Sequence, residues 1–420
     1  MERKLIQASG NFVTGDRFWD REKEAELFET KLQEGAHMLI VAQRRIGKTS
    51  LMKEMALRLK DKYSLLFIDL QGAKDAADAI FEMSMATRPH KNIWDKVEEI
   101  FLNVVSKITG VINSVKLLGQ EVSLRDGLTQ GNWSQKGDRL FKILKSADKP
   151  VVLLMDEVPI MISNMLKGGD FVVTPERRNN VNEFMSWLRK KSIEYQGTIR
   201  IVISGSIGLE PILNQAKLSA TLNNFYRFEL KPWDDNAAIG CLSALASQYG
   251  VIYKDSAERA IVERLGCCIP HHVQMFFAYI HERCERTENV DVEIQDIDTV
   301  YKEDMLGTRG YSELIHYEER LKMVLGPDML SLAIEMLAET AISGTLNNEL
   351  LAAFQKKHEH DTSRFEGMSI QDVLQQIIAV FLHDGYFRLS NDGYVFISKI
   401  MREWYKKKYP FYQPILKREG

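Results

Sequence analysis

Ala42-Gln-Arg-Arg-Ile-Gly-Lys-Thr-Ser50 is the stretch of this chain whose residue types and spacing point most directly to chemistry. It follows an apolar run, His37–Ala42, and opens a helical pattern over Lys48–Lys60. Such a strand-to-helix turn suits phosphate. Backbone N–H groups of the loop and of the helix N-terminus point at the anion, where the positive end of the helix dipole favours negative charge. Gln43, Arg44, Arg45, Ile46, Gly47, Lys48, Thr49 and Ser50 are therefore the candidate nucleotide contacts. Gly47 permits close backbone approach, Lys48 is placed to neutralise β/γ-phosphate charge, and the Thr49 hydroxyl is a candidate Mg²⁺ ligand because that ion takes oxygen donors. The usual pattern begins with Gly. Here the small residue Ala42 stands in that position.

A second stretch supplies acids. Val151-Val-Leu-Leu-Met-Asp156-Glu157 is an apolar run ending in two carboxylates, and ligands of open α/β sheets bind at the carboxyl ends of strands. Asp156 is the candidate to hold Mg²⁺ through water, and Glu157, with Lys48, is the candidate catalytic residue, orienting and polarising an attacking water. Strands that end in solvated acids are common, so this motif gains its meaning from the loop. Ser204-Gly-Ser206 follows another apolar run, and either serine is a candidate hydrogen-bond donor to a γ-phosphate.

The elements that must position these residues are legible in outline. Apolar runs at His37–Ala42, Ser64–Leu70, Val151–Met155, Ile199–Ser204 and Phe225–Leu230 read as buried strands of a parallel sheet. Helical patterns separate them, among them Lys48–Lys60 and Asn180–Tyr195, which predicts an α/β fold over residues 1 to about 232. The span from about 73 to 149 reads as a helical insertion with amphipathic stretches at Ile93–Ile112 and Asp138–Lys145. Asn164–Arg178 shows no period and reads as a mobile loop. Residues 233–289 read as a helical lid subdomain. From 290 to 420, helical patterns at Met329–Glu339, Asn347–Lys357 and Ser369–His383 precede a period-two stretch around Asn391-Asp-Gly, a hairpin signal, so a C-terminal winged-helix domain is expected.

Taken together, Asp20-Arg-Glu-Lys-Glu24, Arg44-Arg-Ile-Gly-Lys-Thr-Ser-Leu51, Asp156-Glu-Val-Pro159, Ser204-Gly-Ser206 and Leu230-Lys-Pro232 resemble the archaeal-type ATPases of the STAND/AAA+ group of P-loop NTPases. The resemblance implies ATP and Mg²⁺ as cofactors, an oligomer with sites between subunits, and an acidic N-terminal segment beside the adenine. It also implies a second sensor after the lid's Gly-x-Pro. Here that stretch, Leu265-Gly-Cys-Cys-Ile-Pro270-His-His-Val-Gln274, has no arginine, which leaves His271 or His272 to approach the base. Nor does a Gly-Arg precede the fifth strand. Arg227 is the nearest finger candidate, with Arg44, Arg45, Arg177 and Arg178 as others.

Composition excludes several classes. The 420 residues carry 45% hydrophobic and 27% charged side chains, an ordinary globular balance, and a formal charge of −3, too small for bulk attraction to nucleic acid or membrane. No run approaches the roughly 18 apolar residues of a membrane span, so a cytoplasmic protein is expected. Cys241, Cys267, Cys268 and Cys284 lack metal spacing and read as buried thiols, and His316, His358 and His360 as solvated. Met401-Arg-Glu-Trp-Tyr-Lys-Lys-Lys-Tyr-Pro-Phe-Tyr interleaves basic and aromatic residues; an amphipathic closing helix is favoured over DNA contact. The expected function is an ATP-driven switch that acts through its C-terminal domain on a protein partner or another copy of itself. The alternatives are an ATP-dependent DNA-binding initiator or loader, and a slow-hydrolysing scaffold for a toxin or effector.

Overall fold

The computed structural model describes residues 4–8, 10, 12–99, 128–361, 364–365 and 367–417. Its centre is a parallel sheet of β1 (His37–Val41), β2 (Ser64–Asp69), β3 (Val151–Asp156), β4 (Ile199–Ile203) and β5 (Phe225–Glu229), in the order β2-β3-β4-β1-β5. The five expected apolar runs are the five strands. Their burial follows their place in the sheet. The inner strands β3 and β4 are buried at every residue, whereas the outer strand β5 exposes Tyr226, Arg227 and Glu229, as expected when helices cover both faces of a parallel sheet but not its rim. Register places Asp69 beside Asp156, so two acids end neighbouring strands at one edge.

Helices cover both faces. On one side, Glu22–Gln33 and the helix after the loop, Lys48–Arg58, pack Phe28, Leu32, Leu51 and Met55 against Met38, Ile40 and Val202. On the other, helices Ala76–Met85, Trp133–Lys145, Val158–Lys167 and Pro175–Glu194 enclose Ile80, Phe141, Ile160 and Trp187. The insertion is thus helical where described. The Ile93–Ile112 stretch is helical through 99, and the rest of it lies outside the described residues.

The segment expected as a loop is helical at both ends instead. Helix Val158–Lys167 runs through Asn164, and the next helix begins at Pro175, whose missing N–H and fixed φ suit a first helical position and whose N-cap Thr174 accepts from Arg177 N. Only 168–174 remain between them. Arg177 staples that turn, donating to Lys167 O at 2.9 Å and Val172 O at 2.7 Å and pairing with Asp170. The glycines Gly168 and Gly169 obscured a period that resumes on either side.

Helices Asp235–Tyr249, Ala257–Leu265 and Pro270–Thr287 form their own apolar cluster around Leu242, Ile261, Phe276 and Phe277. Beyond them lies Thr308–Ser343, which is broken at Gly326 (φ 78°). Pro327 forces the break, because the residue before a proline is driven out of the helical region and the proline itself has no N–H to donate. Helices Asn348–Lys357 and Ile370–His383 follow, then antiparallel strands Phe387–Ser390 and Gly393–Phe396 joined at Asn391-Asp392. This region shares its core with the sheet: one apolar cluster continues from Ile203 and Leu213 through Leu321 and Leu337 to Phe381 and Trp404.

At Gly385 (φ 79°) the Ile370–His383 helix ends in a left-handed turn, with Tyr386 N donating to Phe381 O at 2.9 Å. A Cβ there would lie 1.9 Å from Gln43 Oε1. Gly385→Ala is therefore expected to lower unfolding free energy by at least about 1–2 kcal/mol, the cost of a left-handed non-glycine residue, read by denaturant titration. An unchanged midpoint would show that neither the left-handed backbone at 385 nor the approach of Gln43 resists a side chain.

Among the described residues no helix is long and apolar enough to cross a membrane. The four cysteines are free, three of them buried, and burial pushes the Cys268 thiol up to about 12, as suits inert core thiols.

Candidate functional site

The loop between β1 and its helix bounds a cleft of about 510 Å³ at the carboxyl edge of the sheet. Of the residues singled out in the sequence, Arg44, Arg45, Ile46, Gly47, Lys48, Thr49, Ser50, Asp156, Glu157, Ser206 and His271 line it. Gly47 (φ 100°) makes the turn a bulkier residue would resist, and Arg45 also has a positive φ, 66°. A separate polar cleft of about 460 Å³, around Asp75, Trp133, Arg177 and Glu183, shares none of the loop or the acids.

Lys48 is 7% exposed and its Nζ donates to Ala42 O and Gln43 O, each at 2.8 Å. Burial lowers its pKa, opposed by the nearby carboxylates of Glu157, Asp156 and Asp384. The amine thus sits inside the loop, held by carbonyls that anionic oxygens would outcompete for a buried cation.

Thr49 Oγ1 donates to Asp156 Oδ2 at 2.6 Å, and Ser204 Oγ donates to Asp156 Oδ1 at 2.5 Å. Glu157 stands one residue on, at φ 58°, where the strand turns abruptly into the Val158–Lys167 helix. Its Oε2 accepts from Ser206 N at 2.9 Å and from Ser206 Oγ at 3.0 Å. Burial raises the Glu157 pKa, with the Ser206 backbone N–H acting in the opposite direction. A carboxyl raised by burial yet steered by two donors is the form a general base takes when it must accept a proton near neutrality. Gly205 is needed between these serines, since a Cβ there would lie 2.4 Å from Pro159 Cδ.

Some expected contacts fall elsewhere. Ser204 is fully buried and faces Asp156, so of the two serines it is Ser206 that borders the cleft. Gln43 lies behind the loop, its side chain against Gly385, rather than in the cleft. Ser50 Oγ accepts from Val13 N at 3.1 Å, tying the N-terminal segment to the loop helix. His272 is buried outside the cleft, leaving His271 at its wall. Arg227 pairs with Glu210 on the exposed face of β5, and neither it, Arg177 nor Arg178 lines the cleft.

Of the polar lining side chains, Asp69 and Arg320 lie outside every stretch singled out in the sequence for the site, whereas Arg21 and Gln274 fall within stretches that carried the resemblance. Arg21, Asp69, Gln274 and Arg320 come from the N-terminal segment, the end of β2, the Pro270–Thr287 helix and the Thr308–Ser343 helix. Asp69 had one available clue, an acid at the end of the strand beside β3. Arg320 had none, since it lies 163 positions from Glu157 on an ordinary amphipathic helix.

The insertion of β4 between β1 and β3, with the phosphate-type loop after β1 and the paired acids after β3, decides the architecture. The fold is that of the P-loop AAA+ ATPases. Over 94% of its length the chain superposes on 98% of the Walker-type ATPase PABY2304 of Pyrococcus abyssi, with a TM-score of 0.60 at 14% identity. It also matches the Aeropyrum pernix ORC2 protein, TM-score 0.48 at 11% identity over 93% of each chain. A third similar structure is the Thermotoga maritima RuvB Holliday junction branch migration motor, TM-score 0.45 at 13% identity over 96% of this chain and 98% of that one. No family model and no curated protein matches the sequence.

The sheet and its loop are also clasped from the C-terminal side. Arg44 Nη1 donates to His316 O at 2.8 Å, and Asp384 Oδ1 accepts from Gly208 N at 2.9 Å. Behind Glu157, Ser163 Oγ donates to Met323 O at 3.1 Å and Lys167 Nζ donates to Val324 O.

Proposed function

We propose that the chain binds ATP with Mg²⁺ in this cleft, hydrolyses it, and uses the nucleotide state to reposition a C-terminal winged-helix domain (290–420) against the ATPase domain (1–232) and lid (233–289). The observation that carries the reading is the convergence of Lys48, Thr49, Asp156 and Glu157, from two distant segments, on one cleft bounded by the loop.

Lys48 exchanges its two carbonyl partners for β- and γ-phosphate oxygens, and the N–H groups at the start of Lys48–Arg58 complete the cradle. Thr49 and Asp156, whose Oγ1 and Oδ2 lie 2.6 Å apart at the cleft, are the residues that would hold Mg²⁺, which takes oxygen donors. Mg²⁺ would supply neutralisation of phosphate charge there. Glu157 orients a water whose oxygen bonds to the γ-phosphorus as the bond from that phosphorus to the bridging oxygen breaks; the water's proton passes to the carboxylate, and ADP and phosphate leave.

The Glu157 pKa gives a testable sign. Turnover should fall as pH drops through a value above that of an ordinary glutamate, because protonation removes the base. Ser206→Ala removes one donor to the charged carboxylate, so the acid limb of the kcat profile should move to higher pH. A limb that stays put or moves down would exclude Glu157, as held here, from the titrating step.

A protein partner or a second copy of this chain is the proposed recipient of the movement. The closing helix supports that reading over DNA capture by the tail. Trp404 and Tyr405 are buried, Lys408 pairs with Glu318, Lys406 with Glu403, and Lys407 donates to Leu306 O. The test is ATPase rate and mass with Mg-ATP, with Mg-ADP, and with added duplex DNA. Stimulation by DNA, lost steeply with salt, would favour the initiator or loader alternative instead.

A further inference from the structure

The cleft gathers more positive charge than the loop lysine alone, and one of its arginines is held differently from the rest. Arg21 is paired with Glu24, Arg44 donates to His316 O over the face of Tyr317, and Arg45 reaches back towards Gly10. Arg320 approaches Met323 Sδ at 4.0 Å and forms no ion pair among the described residues. It is half-buried at the wall of the same cleft as Lys48, Thr49, Glu157 and Ser206.

Its placement is over-determined. His316, Arg320 and Met323–Val324 recur at the spacing of one helix face. The first is tied to the loop through Arg44, and the last two are tied to the helix that follows Glu157 through Ser163 and Lys167. Those carbonyls are available because Gly326-Pro327 ends the helical run, leaving its last carbonyls without intrahelical partners. Arg320 therefore lies along the helix between an anchor to the loop and an anchor to the Glu157 helix, and lines the cleft they share.

Resting on the ATPase reading above, we infer that Arg320 acts in cis as the residue that stabilises charge on the γ-phosphoryl group during its transfer, the task otherwise given to an arginine of a neighbouring molecule. No group moves to or from the guanidinium; it donates hydrogen bonds to oxygens whose charge is redistributed in the transition state. A consequence is coupling: the residue sits on the C-terminal segment, so hydrolysis requires that segment to be seated on the core, and its displacement by a partner would stop turnover without emptying the site.

The experiment uses the full chain. Arg320→Ala and Arg320→Lys are compared with the parent for ADP affinity, for Mg-ATP turnover across a dilution series, and for trapping of ADP with aluminium fluoride. Expected are ADP affinity within about threefold, turnover reduced at least about a hundredfold in Arg320→Ala, lost trapping, a smaller defect in Arg320→Lys, and parental turnover per molecule that does not fall on dilution. Arg320→Ala is then mixed with Glu157→Gln. Because each molecule would need both groups in its own cleft, mixing should restore nothing. Restored turnover on mixing, or an Arg320→Ala protein as fast as the parent, would overturn the inference alone. A parent that binds ADP and never turns ATP over would overturn the ATPase reading and this inference with it.

Discussion

Glu157→Gln is expected to lower ATP turnover at least about a hundredfold while leaving nucleotide affinity within about threefold of the parent protein. The asymmetry follows from what the substitution keeps. Glutamine preserves the length of the side chain and an oxygen that can still accept from Ser206 N and Oγ, so the turn into Val158–Lys167 and the cleft wall survive. What is lost is a group able to take a proton from water, a contribution of about 10²–10⁴ in rate. Removing a buried carboxylate whose pKa is raised also removes an unfavourable desolvation, so stability should hold or rise slightly. Single-turnover kinetics beside a binding titration would check it. A variant that hydrolyses at more than about a tenth of the parental rate would remove Glu157 from the role of base.

Lys48→Ala should have the largest effect on binding. Lys48 is the buried cation that the loop wraps, and charge-assisted hydrogen bonds contribute about 1.5–3 kcal/mol each. Losing two of them to phosphate oxygens weakens binding by at least about a hundredfold, which in a titration at micromolar protein reads as abolished binding. Folding should be far less affected. The substitution relinquishes bonds to Ala42 O and Gln43 O but also relieves a desolvated ammonium, two terms of opposite sign. The decisive comparison is thermal unfolding with and without Mg-ATP: the parent should gain stability with ligand concentration and the variant should not. Equal stabilisation of both would refute the placement of the triphosphate.

The legible part of the site was the part written in short contiguous motifs. A loop that must bend through Gly47 and start a helix, and a strand that must end in Asp156-Glu157, each carry their geometry in neighbouring residues. Which of Ser204 and Ser206 borders the cleft could not be read the same way, because both lie past the end of β4 where no strand period fixes their facing, and only the sheet's neighbours decide that Ser204 turns to Asp156 while Ser206 turns to Glu157. The 164–178 segment was misjudged for a local reason. Its glycines interrupt the period, yet Thr174-Pro175 is a helix start and Arg177 a staple, and the staple is visible only once Lys167 O and Val172 O are nearby.

What the sequence determined by itself was therefore the alternation of buried strands and helices, the phosphate-type loop, and the acids at the end of β3, because hydrophobic period and backbone turn chemistry act over a few residues. Only the tertiary structure decided that β4 lies between β1 and β3, that Asp69 borders the cleft, and that from the far end of the chain Arg320 reaches the same cleft and Asp384 accepts from Gly208 N. Those are long-range juxtapositions. They are set by how apolar faces from Ile203 to Trp404 close into one core, and no local pattern encodes which surface charge that closure brings to a distant rim.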